Sequence, residues 1–353
     1  RQVRKMPQQE SPSRILIVRL SAVGDVIHGM PVACALRDAF PDAFLAWIVE
    51  GRNGDLIEGH PAVDQVIRVP RRWLKSAREV LAIRQRLHRL RFDVTVDLQC
   101  LTKSAVVAWL SGAPRRIGVA GADGRELSKW LNNELTRVDA AHVVDHYLGI
   151  LAPLGVAKPE VRFDLPEQAC DAKFANETLE KLGLRENRFA VLNPGAGWPS
   201  KLWPADRYGD VAAHLRDLHE LPSLVVWSGD QELRWARRIV NCSGGGAFAA
   251  PATSLRQLAA LLRRAALFLG SDTGPMHLAV AAGTPTISMH GASRAEWCGA
   301  YGAENIRLQA RYAGGTARQR RNADNDAMRA VTVDMAANAC DELLNSALPR
   351  RCA

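Results

Sequence analysis

The chain has no Cys-x-x-Cys pair. Its seven cysteines (Cys34, Cys100, Cys170, Cys242, Cys298, Cys340 and Cys352) are odd in number and widely spread. That excludes a disulfide framework and a cysteine zinc site, and leaves reduced, mostly buried thiols. Zinc-finger spacing, an RNP-like aromatic motif and a convincing helix-turn-helix are also missing, which argues against nucleic acid as a partner. There is no long apolar run. The greasiest helical stretch, 255–270, is broken by Arg263 and Arg264, so it is not a membrane span. The segment 1–13 is polar and basic, unlike a signal peptide. A cytoplasmic location is expected, with a peripheral visit to a membrane left open. No convincing Asp-x-Asp metal-binding signature is present, so no metal site is expected. Short repeats and low-complexity tracts are absent as well.

What is present is ordinary globular material: 353 residues, 47% hydrophobic and 24% charged, enough for two domains. Lys and Arg exceed Asp and Glu by 46 to 37, a net charge of +9 that favours an anionic partner. Short apolar, β-branched runs at 14–20, 43–49, 65–69, 92–98 and 116–119 read as strands, with helices predicted over 26–40 and 74–90. The pattern restarts near residue 170. Strands are predicted at 189–193, 223–227, 267–269 and 285–289, and helices at 171–182, 207–218, 255–264 and 275–282. Strands apolar throughout and alternating with helices predict α/β architecture with parallel sheets covered on both faces. Two doubly wound domains follow, 14–160 and 170–332, joined by a proline-bearing linker at 152–168. The stretch 312–326 is read as a loop. A last helix, 333–346, closes the chain, with a return onto the first domain as one option. Two such domains are expected to hold ligand in a cleft at the carboxyl ends of their strands.

Four loops stand at those ends. In Ser21-Ala22-Val23-Gly24-Asp25-Val26-Ile27-His28, Gly24 suits a tight turn, and Asp25 reads either as a helix cap or as a general base. His28 is a partner one turn on or a packed residue. The loop 193–204 brings glycines whose backbone can approach a phosphate, and Lys201 as a cationic donor. After the strand at 223–227, Asp230 and Glu232 are either ribose acceptors or first-turn acids. The strongest signal is Gly270-Ser271-Asp272-Thr273-Gly274-Pro275-Met276-His277: an acid, a hydroxyl and a glycine before a helix start that suits a diphosphate.

These residues carry a resemblance. In this order and separation, 21–28, Lys201-Leu202-Trp203-Pro204, 229–232 and 272–277 resemble the lipopolysaccharide heptosyltransferases, the ADP-heptose transferase family of the GT-B class. The likeness runs from about Arg14 to about Leu344. It is greatest to the heptosyltransferase I group, through Arg71-Arg72-Trp73-Leu74-Lys75, Leu101-Thr102-Lys103-Ser104-Ala105 and Gly124-Arg125-Glu126-Leu127. The resemblance implies Asp25 as catalytic base. It implies donor contacts from Lys201, Glu232 or Asp230, Asp272, Thr273, Gly274 and His277, and acceptor contacts from Arg71, Arg72, Lys75 and Arg125. It further implies an inverting, metal-independent transfer from ADP-L-glycero-D-manno-heptose to the Kdo sugars of lipid A, with no cofactor and a transient visit to the inner membrane. The sequence departs from the family at 312–326, longer and more basic than expected, and at Ala327-Met328, where the family has Cys-Met. Two other readings stay open: heptose transfer to a protein or another glycan, and a non-catalytic sugar-nucleotide binder.

Overall fold

The protein is described by a computed structural model that covers residues 11–121, 124 and 127–347. Two compact units emerge from its contacts. Among the described residues, one holds those up to Ser21, between Gly29 and Ala140 and between Asp145 and Asp164; the other holds Ala22–His28, Ala141–Val144 and those from Leu165 to Ala347.

Each unit is built on a parallel six-stranded sheet. In the first, β1 (Arg14–Val18), β2 (Phe44–Glu50), β3 (Gln65–Val69), β4 (Val94–Asp97), β5 (Arg115–Val119) and β6 (Glu134–Thr136) lie in the order β3-β2-β1-β4-β5-β6. In the second, β7 (Ala190–Asn193), β8 (Ser223–Val225), β9 (Ala247–Ala249), β10 (Leu267–Ser271), β11 (Thr286–Met289) and β12 (Ile306–Leu308) lie in the order β12-β11-β10-β7-β8-β9. The two orders are the same winding pattern. The central strands read as unbroken apolar runs because helices cover both faces: Ile15, Leu16, Ile17 and Val18 are all fully buried, as are Leu267, Phe268 and Leu269. In register, Leu16 pairs with both Ala46 and Thr95, and Phe268 with both Thr286 and Val191. The strand order reverses between β1 and β4 and between β7 and β10, the switch points beside which open α/β sheets bind ligands.

Several expectations are corrected. The helix predicted over 26–40 is two, Val23–His28 and Met30–Ala39, separated at Gly29. A Cβ there would stand 2.8 Å from the fully buried Trp47 ring, so the break fits the packing of Trp47. The helix predicted from Leu74 begins at Ala77, because Ser76 caps it by accepting from the Glu79 N–H at 3.3 Å. The stretch 312–326 is not all loop: Ala317–Asn322 is helical, started by a reciprocal cap between Thr316 and Gln319. The last helix, Val333–Ala347, for which a return onto the first domain was one option, belongs to the second unit. It packs in the second unit, where Ala336, Ala339, Cys340 and Leu343 join the core around β7, β10 and the helix Ala205–His219.

Candidate active site

The loops after β7, β8 and β10 meet at one end of the second sheet, joined by Ala22–His28. After β7 the chain turns through Gly195 and Gly197 into a short 3-10 turn, Pro199–Lys201, with the Lys201 N–H donating to Trp198 O at 3.0 Å. This turn aims Lys201 inward. Its ammonium donates to Asp272 Oδ2 at 2.6 Å and to Asp272 O at 3.2 Å, and stands 4.5 Å from the centre of the Trp198 ring. Only 14% of its side chain is exposed, so Lys201 is not a surface lysine.

Asp272 is not a helix cap. The cap residue of Gly274–Ala281 is Thr273, and Pro275 fills an early helical position whose missing N–H costs nothing. The Asp272 carboxylate instead collects Lys201, the His277 Nε2–H at 3.1 Å and the Cys298 thiol at 3.4 Å. Burial alone would raise its pKa, but the His277 hydrogen bond and the Lys201 charge outweigh burial and hold it well below the ordinary carboxylate value. The same neighbourhood pushes the Cys298 thiol upward, first by burial and then by the Asp272 charge. His290, fully buried between the hydroxyls of Ser288 and Ser293, is pushed down to about 4 by burial.

Asn193 ties the β7 and β10 loops together. Its amide donates to Gly195 O at 3.1 Å and to the Thr273 hydroxyl at 3.2 Å, while Tyr208 donates to its carbonyl at 3.0 Å. Glu232, in the first turn of Gly229–Cys242, accepts from the Ser228 N–H at 2.8 Å and lies against Gly195, where any Cβ would collide with its carboxylate. Half-burial raises its pKa, opposed by that hydrogen bond. Asp230 is exposed. Of the two competing acids, Glu232 is therefore the one set against the glycine loop after β7.

Asp25 sits in the third position of Val23–His28, partly exposed, with Oδ2 accepting from the Ala22 N–H at 3.0 Å. His28, one turn on, is buried; its Nε2 lies 2.9 Å from His277 Nδ1. His277 thus bridges Asp272 through Nε2 and His28 through Nδ1. A continuous polar chain therefore runs His28–His277–Asp272–Lys201. Gly24 is required for space, not for the tight turn expected of it: an added Cβ would stand 2.6 Å from the His277 ring, and Gly24 is not among the positive-φ glycines. Sequence reasoning missed His142, which donates to Gly299 O and lies edge-on to Tyr301 and His28, and it also missed Cys298 and His290.

In the first unit, Arg71, Arg72 and Lys75 are exposed in the turn after β3, not on a helix face. Fully buried Trp73 anchors that turn, and Lys103 donates to Arg71 O at 3.2 Å while pairing with Glu50. Arg125 lies outside the described residues. The basic stretch that departs from expectation reaches the second unit's β7 loop: the Arg321 guanidinium stands 5.0 Å from the Trp198 ring. No helix among the described residues is long and apolar enough to cross a membrane.

Taken together, the second unit offers a cation, a helix amino end, an acid beside a glycine loop and a carboxylate on a neighbouring helix. That equipment suits a nucleotide-linked substrate and its displacement. Residues 80–326 match glycosyltransferase family 9 (heptosyltransferase). The chain is 29% identical over 307 residues to lipopolysaccharide heptosyltransferase 1 of Pseudomonas aeruginosa, covering 84% of this chain and 83% of that one. It is 27% identical over 285 residues to the lipopolysaccharide core heptosyltransferase OpsX of Haemophilus influenzae, covering 80% of each. The solved structure of E. coli heptosyltransferase WaaC with ADP-2-deoxy-2-fluoro heptose overlays with a TM-score of 0.74 at 24% identity, covering 93% of this chain and 99% of that one, and its likeness places the two doubly wound sheets in the GT-B fold. The family match spans well over half of the sequence, and the chain belongs to glycosyltransferase family 9, a family of heptosyltransferases.

Proposed function

We propose that this glycosyltransferase moves heptose from ADP-L-glycero-D-manno-heptose to a Kdo sugar of the lipid A inner core, with inversion and without a metal in the reaction. The observation that carries the reading is the His28–His277–Asp272–Lys201 chain beside the amino end of Gly274–Ala281. Support for the sugar comes from the lipopolysaccharide heptosyltransferase names of the relatives and from the ADP-linked fluoro heptose of the WaaC structure. Membership in a glycosyltransferase family leaves the non-catalytic binder without support.

In the proposed step the acceptor hydroxyl oxygen attacks the anomeric carbon, and the bond from that carbon to the diphosphate oxygen breaks. Asp25 takes the hydroxyl proton. ADP departs with its growing charge offset by Lys201, released from Asp272, and by the dipole of Gly274–Ala281. Fixed cations and a helix end can supply that stabilisation, so no ion is needed in the step. Glu232, set against Gly195, is assigned the ribose hydroxyls. Thr273, Gly274 and His277 shape the diphosphate seat, and Asp272 holds Lys201 and His277 ready. The exposed Arg71, Arg72 and Lys75 of the first unit, with Arg125, are assigned the acceptor's carboxylates and phosphates. Such an acceptor is anchored in a membrane, so the enzyme visits the inner membrane surface from the cytoplasm.

The test is direct. The protein is incubated with ADP-heptose and Kdo-lipid A in the presence of a chelator, and product is followed by mass and by the anomeric configuration of the new linkage. A gain of one heptose with inverted configuration supports the reading. Transfer only to a protein or to another glycan would overturn the acceptor, retention of configuration would overturn the single displacement, and activity abolished by the chelator would overturn the metal-free step.

A further inference from the structure

A cluster away from the donor loops has the chemistry of a metal site. His214 and His219 lie on the helix Ala205–His219, and Asp341 on the closing helix Val333–Ala347. The Nε2 atoms of both histidines approach one oxygen, Asp341 Oδ1, at 2.8 and 2.6 Å. All three ligand atoms lie within 4.8 Å of one another. We propose that His214, His219 and Asp341 bind a divalent transition-metal ion, zinc in the first instance, that clasps the closing helix to the second unit.

Several features argue for this. Two neutral imidazoles and a carboxylate are a common set for borderline ions such as zinc. In a tetrahedral zinc site, neighbouring ligand atoms stand about 3.4 Å apart, so the two histidine–aspartate pairs need open by less than about 1 Å. The ligands are held by packing. Tyr208, Val211, Ala212 and Leu215 bury the first helix, and Ala336, Ala339, Cys340 and Leu343 bury the second in the same core. The three side chains keep 20–29% exposure, which leaves coordination positions open to water. Nearby, Arg216 and Asp217 pair with each other at 2.6 Å and so offer no net charge against a cation. In the structure each Nε2–H donates to Asp341 Oδ1; on binding, that proton leaves Nε2 and the freed lone pair goes to the ion.

The fold also separates this cluster from the donor loops. The helix Ala205–His219 runs from the carboxyl end of β7 back to the amino end of β8, so His219 stands at the opposite end of the sheet from Lys201. The proposed ion is therefore a structural clasp, and a chelator that removes it should leave the transfer step intact while loosening the closing helix.

The test uses the full chain, stripped with chelator and titrated with zinc chloride alone by calorimetry, with melting followed in parallel. The same titration is run on the Cys170→Ser/Cys242→Ser variant, which removes as competing ligands the thiols exposed among the described residues. One equivalent should bind in both, and zinc should raise Tm. Loss of groups that merely support metal ligands typically costs about 10- to 100-fold in affinity, so His214→Gln/His219→Gln should cost at least about 100-fold. Asp341→Asn should lose the zinc-dependent rise in Tm. His219→Gln alone, at the helix end, serves if the double variant fails to fold. Cobalt in place of zinc should give d–d bands without thiolate charge transfer. Failure of the wild-type protein to take up zinc, undiminished binding in the histidine variants, or binding lost with the two cysteines would each overturn the assignment.

Discussion

Asp25→Asn separates the proposed base from a residue that only starts a helix. In the structure the Asp25 side chain accepts the Ala22 N–H at 3.0 Å, and an asparagine carbonyl can accept the same bond. The substitution removes a negative charge near a helix amino end, a loss of about 0.3–1 kcal/mol. It also removes the ability to take a proton. General-base catalysis contributes about 100- to 10,000-fold, so kcat should fall by at least about 100-fold, or about 2.7 kcal/mol in the barrier. Donor affinity should hold, because Lys201, Asp272 and His277 are untouched. Asp25→Ala should lose the same turnover and, in addition, about 1 kcal/mol of stability with the lost hydrogen bond from the Ala22 N–H. The assay is steady-state ADP release with saturating acceptor, alongside ADP-heptose binding by calorimetry and thermal melting. Near-normal kcat in the asparagine variant would remove Asp25 from the chemistry. A matching loss of donor binding would make it a binding residue instead.

Three further outcomes are expected. Arg71→Ala with Arg72→Ala should raise the acceptor KM several-fold and leave ADP-heptose affinity unchanged, since both side chains are exposed in a turn anchored by buried Trp73; a fall in donor affinity would place them wrongly. Gly24→Ala drives a methyl to 2.6 Å from the His277 ring, an overpacking that typically costs about 1–3 kcal/mol, and should lower both Tm and turnover. Gly314→Ala, which meets open space, should do neither, and equal effects in the two variants would refute the steric account. His290, pushed from 6.5 to about 4, is neutral when folded and takes up a proton on unfolding. Its share of stability is therefore present above pH 6.5 and lost as pH falls toward 4, by about 3 kcal/mol, an order-of-magnitude figure. In denaturant melts across that range, wild type should lose stability relative to His290→Gln as pH falls; parallel curves would refute it.

The fold was legible where burial writes a simple pattern. Runs such as Ile15-Leu16-Ile17-Val18 and Leu267-Phe268-Leu269 are apolar on both faces because helices cover both sides of a central parallel strand. The pattern fades at the sheet edges. β6, β9 and β12 are three residues each, with exposed Leu135, Phe248 and Arg307 at their centres, too short and too mixed to show a period. The helix Ala317–Asn322 was hidden because Ala317 is its one apolar residue, yet its cap, Thr316 with Gln319, is a local signal that could have revealed it.

The candidate site was legible for a topological reason. Once two sheets with the same winding are read from the strand and helix alternation, the loops after β1, β7 and β10 are the ones beside the switch points, and there the sequence places Asp25, Lys201 and Asp272. Which of two nearby acids lies against the glycine loop depends on a contact across the fold, that of Glu232 with Gly195, and spacing alone left it open. Residues that gain their role only from distant partners were beyond reach. His28 needs His277, 249 positions away, to become part of a polar chain, and without that partner it reads as one more buried residue of a short helix. The same holds for Gly24. A glycine in a loop suggests a backbone turn, but here the missing side chain makes room for the imidazole that joins His28 to Asp272. The glycine in the motif thus specifies a neighbour, and only a structure that brings that neighbour into place can distinguish it from a turn.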